Sequence, residues 1–148
     1  AIVEEGVSCL VTNKNTSKQN KNIVTNLFGK IGKIYWLNTE KELDKVTAIS
    51  GSGPGYYFLF IDLFEKAAIK LGFTRKIAKE LVYHTAFGSA KLLINNSKSA
   101  EKLSNDIAIK GGTTEAAIRL FKKNNQLKNI INKAVQAAHK RSIELSKK

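Results

Sequence analysis

The residues richest in usable chemistry are Gly111-Gly112-Thr113-Thr114. Two glycines permit dihedrals closed to other residues and let a ligand or a second backbone come close. The residues after them open a helix, whose first amides are unpaired and lie at the positive end of its dipole. Such a place binds a carboxylate or a phosphate, and Thr114 adds a hydroxyl able to donate or accept. The same four residues also read as a plain glycine turn with a threonine N-cap, and the motif alone does not separate the two. Ser50-Gly51-Ser52-Gly53-Pro54 is a second Gly-rich lead into a helix. It lacks the Lys-Ser/Thr ending of a phosphate loop, and Gly51-Ser52-Gly53 has no third glycine three residues on. It reads as a tight turn, Ser52, Gly53 and Pro54 included, that feeds a buried helix and is placed to touch a ligand.

The remaining reactive side chains are less suggestive. His84, mid-helix beside Tyr83, reads as a surface or hydrogen-bonded imidazole rather than a general base. His139, next to Lys140 and Arg141, reads as solvated. Asp44, Asp62 and Glu65 form no acid–base pair at a defined spacing. Cys9 has neither a neighbouring histidine nor a second cysteine to activate it and is expected to be a small buried apolar group. One cysteine and two histidines exclude a structural zinc site and an internal disulfide.

The elements that must hold these residues are mostly helices. Gly6 to Thr12 reads as a strand, and Lys33 to Leu37 is its only available partner before the helical body. The pair looks like the closing strands of a domain lying upstream. Between them, Ser17 caps a helix whose stripe is Ile23, Val24, Leu27 and Phe28, ended by Gly29 and Gly32. Thr39-Glu40-Lys41-Glu42 is a capping box opening a short helix. Pro54, the only proline, stands in the first turn of a helix that runs to about Leu71 and stops at Gly72. From Tyr56 to Phe64 that helix is apolar almost all round, which in a chain of 148 residues points to burial against another subunit. Thr74 caps a helix to about Ile94, Ser99 caps a short one, Gly111-Gly112 opens one through Phe121, and the stripe Leu127, Ile130, Ile131, Ala134, Val135, Ala138 marks the last. The body is an all-α domain of about six helices behind a β remnant. The division expected is residues 1–38, then 39–148.

Composition narrows the function classes. With 43% hydrophobic and 25% charged residues the chain is globular rather than disordered. Its longest apolar run, Tyr56 to Ile61, is far short of the roughly 18 residues of a membrane span, and its first residues lack the basic start of a secretory signal. A reduced, cytoplasmic setting is expected. The net charge of +13 and the isoelectric point near 9.9 invite a nucleic-acid reading. Yet only Arg75, Arg119 and Arg141 are arginines, and the lysines are dispersed, which favours solvated faces over a phosphate-tracking surface. The absence of methionine, even at position 1, suggests a chain that begins inside a larger protein.

Several runs, in order, carry a family resemblance: Asp44-Lys45-Val46-Thr47-Ala48-Ile49-Ser50-Gly51-Ser52-Gly53-Pro54-Gly55-Tyr56, Lys70-Leu71-Gly72-Phe73, Gly88-Ser89-Ala90-Lys91-Leu92-Leu93, Gly111-Gly112-Thr113-Thr114-Glu115-Ala116-Ala117-Ile118, and Ala134-Val135-Gln136-Ala137-Ala138 with Arg141-Ser142. The chain resembles the C-terminal half of the pyrroline-5-carboxylate reductases over essentially its whole length. The resemblance implies a mainly α fold, a helical dimerisation domain like the C-terminal domain of 6-phosphogluconate dehydrogenase-like reductases, preceded by the end of a Rossmann domain that is missing here. It implies an oxidoreductase of proline biosynthesis that reduces 1-pyrroline-5-carboxylate to L-proline with NADPH or NADH. The cofactor would be bound mainly by the absent N-terminal domain, so the fragment alone would be inactive. It further implies an intertwined homodimer, with assembly beyond the dimer left open, and no metal.

Carried over residue by residue, the resemblance assigns the substrate carboxylate to the amides around Gly111, Gly112, Thr113 and Thr114. It sets the Thr114 hydroxyl beside the ring nitrogen as the catalytic group, with Ser52, Gly53 and Pro54 lining the pocket. The chain departs from the family at Ile109-Lys110, where Ser-Pro is usual, so a carboxylate-binding hydroxyl is lost and Lys110 stands near as a charge. Two alternatives remain: a basic helical nucleic-acid-binding module, and a reductase of a different cyclic imine.

Overall fold

The computed structural model describes residues 3–147 and divides into two compact units. One runs to Pro54 and takes up the chain again from Lys133; the other is Gly55–Asn132.

The first unit starts with β1 (Gly6–Val11), α1 (Lys18–Phe28) and β2 (Gly32–Leu37). The two strands pair with each other in parallel, from Gly6 opposite Gly32 to Val11 opposite Leu37. Parallel neighbours need a crossover, and α1 supplies it. Gly32 has φ +149°, and a Cβ there would run into the backbone of Gly6, so the strand begins where only glycine fits. Ser17 caps α1 by accepting from the Asn20 amide at 3.1 Å. The Trp36 indole N–H donates to Thr25 Oγ1 at 3.1 Å, Thr25 donates in turn to the Lys21 carbonyl at 2.8 Å, and Lys21 Nζ lies 4.5 Å over the Trp36 ring. Helix and strand are thus locked by polar contacts as well as by packing. Cys9 is half-buried rather than buried, because the two-stranded sheet covers only part of it.

Next comes α2 (Lys41–Val46). Only the glutamate half of the expected capping box forms: Glu42 Oε2 accepts from the Asn38 and Thr39 amides at 2.9 Å each. Those contacts hold the Glu42 carboxyl below its ordinary range, the Thr39 backbone N–H contributing most. From α2 the chain does not turn. It continues as a π-helical segment, Thr47–Gly51, in which the Ser52 amide reaches back five residues to the Thr47 carbonyl at 2.8 Å, and then as α3 (Gly53–Lys70). The tight turn expected at Ser50–Pro54 is therefore a widened helical passage. Glycine and proline are tolerated because Pro54 falls in the first turn of α3, where its lost amide is not needed. The end of the chain returns to this unit through the second half of α7 (Gln126–Ser146), where Ser142 Oγ donates to Asp44 Oδ1 at 2.7 Å. His139 on that helix is half-buried rather than solvated.

The second unit holds most of α3, then α4 (Arg75–Ile94), α5 (Ala100–Ile107), α6 (Thr113–Lys122), a 3-10 turn at Lys123–Asn125 and the start of α7. Thr74 and Ser99 cap α4 and α5 as expected, accepting from the Ile77 amide at 3.4 Å and the Lys102 amide at 3.2 Å. Asn124 and Asn125 take left-handed φ values of 53° and 54°, which their short polar side chains tolerate, and so end α6.

Burial is scarce. Among the described residues the only buried hydrophobic side chains are Ala48 and Ala78. On α3, Tyr57 is 72% exposed and Phe58 68%, with Leu59, Leu63 and Phe64 beyond half. Tyr57, Phe60, Ile61 and Phe64 of α3 and Leu81 and Val82 of α4 line an open, almost wholly apolar groove of about 370 Å³. A face of this extent is not left in water by a stable protein. Among the described residues no helix is long and apolar enough to cross a membrane.

Candidate functional site

The Gly111–Thr114 turn lies wholly within the second unit. Its shape follows from α5 ending at Ile107 and the chain having to restart as α6 within a few residues. The Ile109 amide bonds to the Ile107 carbonyl at 2.9 Å, and the Ile109 carbonyl accepts from the Gly112 amide at the same distance. Gly111 carries φ +78°, a left-handed value that strains any residue with a Cβ. Gly112 is required for a different reason: a Cβ there would lie 2.9 Å from the Ile109 carbonyl oxygen. Both glycines are thus dictated by the turn itself.

Gly112 is the N-cap of α6, extended at φ −83°, ψ 167°, and no side chain caps this end. The threonine N-cap expected as the plain structural reading does not form, because Thr113 and Thr114 already lie inside the helix. The first bond along the helix runs from the Ala116 amide to the Gly112 carbonyl at 3.2 Å. The amides of Thr113, Thr114 and Glu115 precede it and point off the positive end of α6. Thr114 is half-buried and Thr113 exposed. Ile109 is 73% exposed, and Lys110 is exposed beside it. Three free amides can hold one carboxylate while the hydroxyl of half-buried Thr114 offers an O–H to a neighbouring atom of the same small molecule.

Glu115 was not among the expected site residues. Its Oε2 accepts from the Gly111 amide at 2.7 Å, reaching back over the turn. The legible signal was a glutamate at the third helical position, the place it takes in a capping box, but here it grips one residue farther out than the N-cap.

Ser52, Gly53 and Pro54 lie together at the π-to-α passage, within the first unit. Gly53 is buried, Ser52 half-buried and Pro54 exposed. His84 points outward, its side chain 77% exposed, with Nε2 3.3 Å from Glu80 of the preceding turn. Among the described residues no group of three or more His, Cys, Asp or Glu is placed to hold a metal ion. Asp106 on α5 pairs with Lys98 Nζ at 2.7 Å and Lys102 Nζ at 2.8 Å; these contacts, that of Lys102 first, hold its carboxyl below the ordinary range.

Comparison with known proteins shows what the chain as a whole is similar to. The profile of the family described as pyrroline-5-carboxylate reductase dimerisation matches residues 40–145. A pyrroline-5-carboxylate reductase of Haemophilus influenzae is 38% identical over 98% of this chain and 54% of its own length, and one of Pseudomonas aeruginosa is 35% identical over 99% and 53%. Among solved structures, a pyrroline-5-carboxylate reductase from Coxiella burnetii superposes with a TM-score of 0.91 at 34% identity, over 97% of this chain and 53% of that one. The Plasmodium falciparum pyrroline carboxylate reductase with NADP bound superposes with a TM-score of 0.86 at 34% identity, over 95% and 53%. The chain spans about half the length of the relatives it matches.

Proposed function

Because this chain belongs to the pyrroline-5-carboxylate reductase family through its dimerisation domain, we propose that it is the dimerisation and substrate-binding part of an oxidoreductase that reduces 1-pyrroline-5-carboxylate to L-proline, closing proline biosynthesis. The observation that carries this reading is the Gly111–Thr114 turn, an uncapped helix start shaped by two obligatory glycines.

The substrate is a small ring bearing a carboxylate and an imine nitrogen. In our reading the amides of Thr113, Thr114 and Glu115 hold the carboxylate, which fixes the ring against the helix end. The Gly111 and Gly112 amides, expected to join them, are taken by Glu115 Oε2 and the Ile109 carbonyl. The Thr114 hydroxyl then lies at the ring nitrogen, where it orients the imine and offers a proton as charge changes there. Lys110 stands in for the hydroxyl lost at Ile109 by adding charge near the carboxylate. Ser52, Gly53 and Pro54 line the pocket without a proton-transfer role.

NADPH or NADH supplies the hydride when bound. The residues of this chain do not fit a dinucleotide, since Gly51-Ser52-Gly53 lacks the third glycine and lies where a π-helical segment passes into α3, and β1 leaves through a polar loop without glycine. We assign the cofactor to a Rossmann domain of which residues 1–38 are the closing part, and 39–148 to the helical domain. The parallel β1–α1–β2 unit supports that division. In the same reading the 148-residue chain by itself does not oxidise NADPH.

The exposed apolar faces of α3 and α4 support a homodimer, each copy covering the other. The lone cysteine fits a reducing compartment, and we place the enzyme in the cytoplasm. Exposed Ile109 also favours a second reading, reduction of a different cyclic imino acid, which a panel of such substrates separates from the first.

The test is imine-dependent NADPH oxidation by the full-length enzyme and its Thr114→Ala variant. Loss of a positioned proton donor lowers kcat by about 100-fold. Unchanged kcat and KM would remove Thr114 from the reaction.

A further inference from the structure

We propose that Glu115 is a positioning residue that sets how tightly substrate and product are held. It clamps the Gly111 turn open while keeping a resident negative charge beside the carboxylate site. The inference rests on the reading of this turn as the carboxylate site and deepens it.

Two facts about Glu115 pull in opposite directions. Its Oε2 accepts from the Gly111 amide at 2.7 Å. That bond fixes the residue with φ +78°, the one that sends the chain into α6. Because the carboxylate reaches back to Gly111, outside the helix, it leaves the Thr113, Thr114 and Glu115 amides to a ligand, where an ordinary side-chain cap would occupy that of Thr114 or Glu115. The turn is thus held in its receiving shape by a group that does not compete for its donors. The same carboxylate, however, stands within one helical turn of any anion those donors bind. Like charges at such separations weaken binding severalfold, and salt screens the effect.

Imine substrate and amino-acid product carry the same carboxylate, so the charge of Glu115 lowers the affinity for both. A turn that gripped the product as firmly as its amides allow would release it slowly. Glu115 preserves the geometry and loosens the grip.

The two contributions separate by substitution in the full-length enzyme with its cofactor. Glu115→Gln keeps an acceptor for the Gly111 amide and removes the charge; Glu115→Ala removes both. We expect Glu115→Gln to lower KM for the imine and the inhibition constant of L-proline about threefold, the gap closing at high salt. L-prolinamide, which lacks the carboxylate charge, should bind the Gln variant and the parent alike. Glu115→Ala should bind L-proline at least about fivefold more weakly than Glu115→Gln, because the unclamped turn must be ordered by the ligand.

Equal L-proline affinity in the parent and the Gln variant overturns the charge role, and equal affinity in the Gln and Ala variants overturns the clamp. Thr114→Ala run alongside distinguishes these failures from failure of the underlying reading. If Thr114→Ala lowers turnover while both Glu115 variants match the parent, the proposal falls alone. If none of the three variants changes turnover or binding, the carboxylate site lies elsewhere and both fall. A Glu115→Ala protein that does not fold leaves the Gln variant, with its salt and prolinamide arms, as the deciding measurement.

Discussion

The β1–α1–β2 region and the α3–α4 pair hold themselves together in different ways. The first is small and tied by hydrogen bonds, although Ile23, Leu27 and Tyr35 are each more than half exposed. Its strands pair along their whole length, and Trp36, Thr25 and Lys21 interlock the helix with the second strand. The second has far more apolar surface and leaves it bare, with Tyr57, Phe58 and Phe64 each more than half exposed. Local hydrogen bonds can stabilise a unit within one chain, whereas a helix that is apolar all round is stable in water only when something covers it. The contrast says where the proposed dimer would form: through the helical face, with little effect on the hydrogen bonds of the strand pair.

The sharpest way to break that contrast is a charge on the bare face. Phe64→Asp sets an unpaired carboxylate in the α3–α4 groove, where burial without a partner costs several kcal/mol. Sedimentation of the full-length protein should show the assembly lost. An assembly of unchanged mass would mean that this face stays in solvent.

A smaller effect sharpens the other half. Trp36→Phe keeps the ring and removes the indole donor to Thr25, so chemical denaturation should report a loss of about 1 kcal/mol. The sedimentation coefficient should not change. A drop in assembly would show that the strand pair and the helical face are coupled after all.

The least effect concerns acid. Glu42 has its pKa lowered from an ordinary value of 4.5, first by the Thr39 backbone N–H. A carboxyl depressed in the folded state stabilises above its unfolded pKa and loses that contribution as pH falls through the folded one. The melting temperatures of the parent and Glu42→Gln should therefore differ at neutral pH and converge well below pH 4.5. A difference that persists in acid would assign the effect to packing rather than to charge.

Helices proved legible wherever an end carried its own chemistry. Ser17, Thr74 and Ser99 cap the helices they were expected to cap, since an N-cap is decided by residues adjacent in the chain. The Ser50–Pro54 passage was not legible. Glycines and a proline signal a turn, but here the chain runs on as a continuous helix with a π-helical step, in which Ala48 and Gly53 are buried. At the site, the glycines and threonines were legible from their types. Glu115 was not, because its partner is an amide freed only by the left-handed Gly111. Nor was the bond between Ser142 and Asp44, whose residues lie far apart in sequence and meet only after folding.

The most direct test of the central claim is a crystal structure of the full-length protein grown with L-proline. The account predicts a carboxylate oxygen within about 3 Å of the amides of Thr113 and Thr114, with the Thr114 hydroxyl toward the ring nitrogen. Proline bound elsewhere, with the Gly111–Thr114 turn facing bulk solvent, would contradict it.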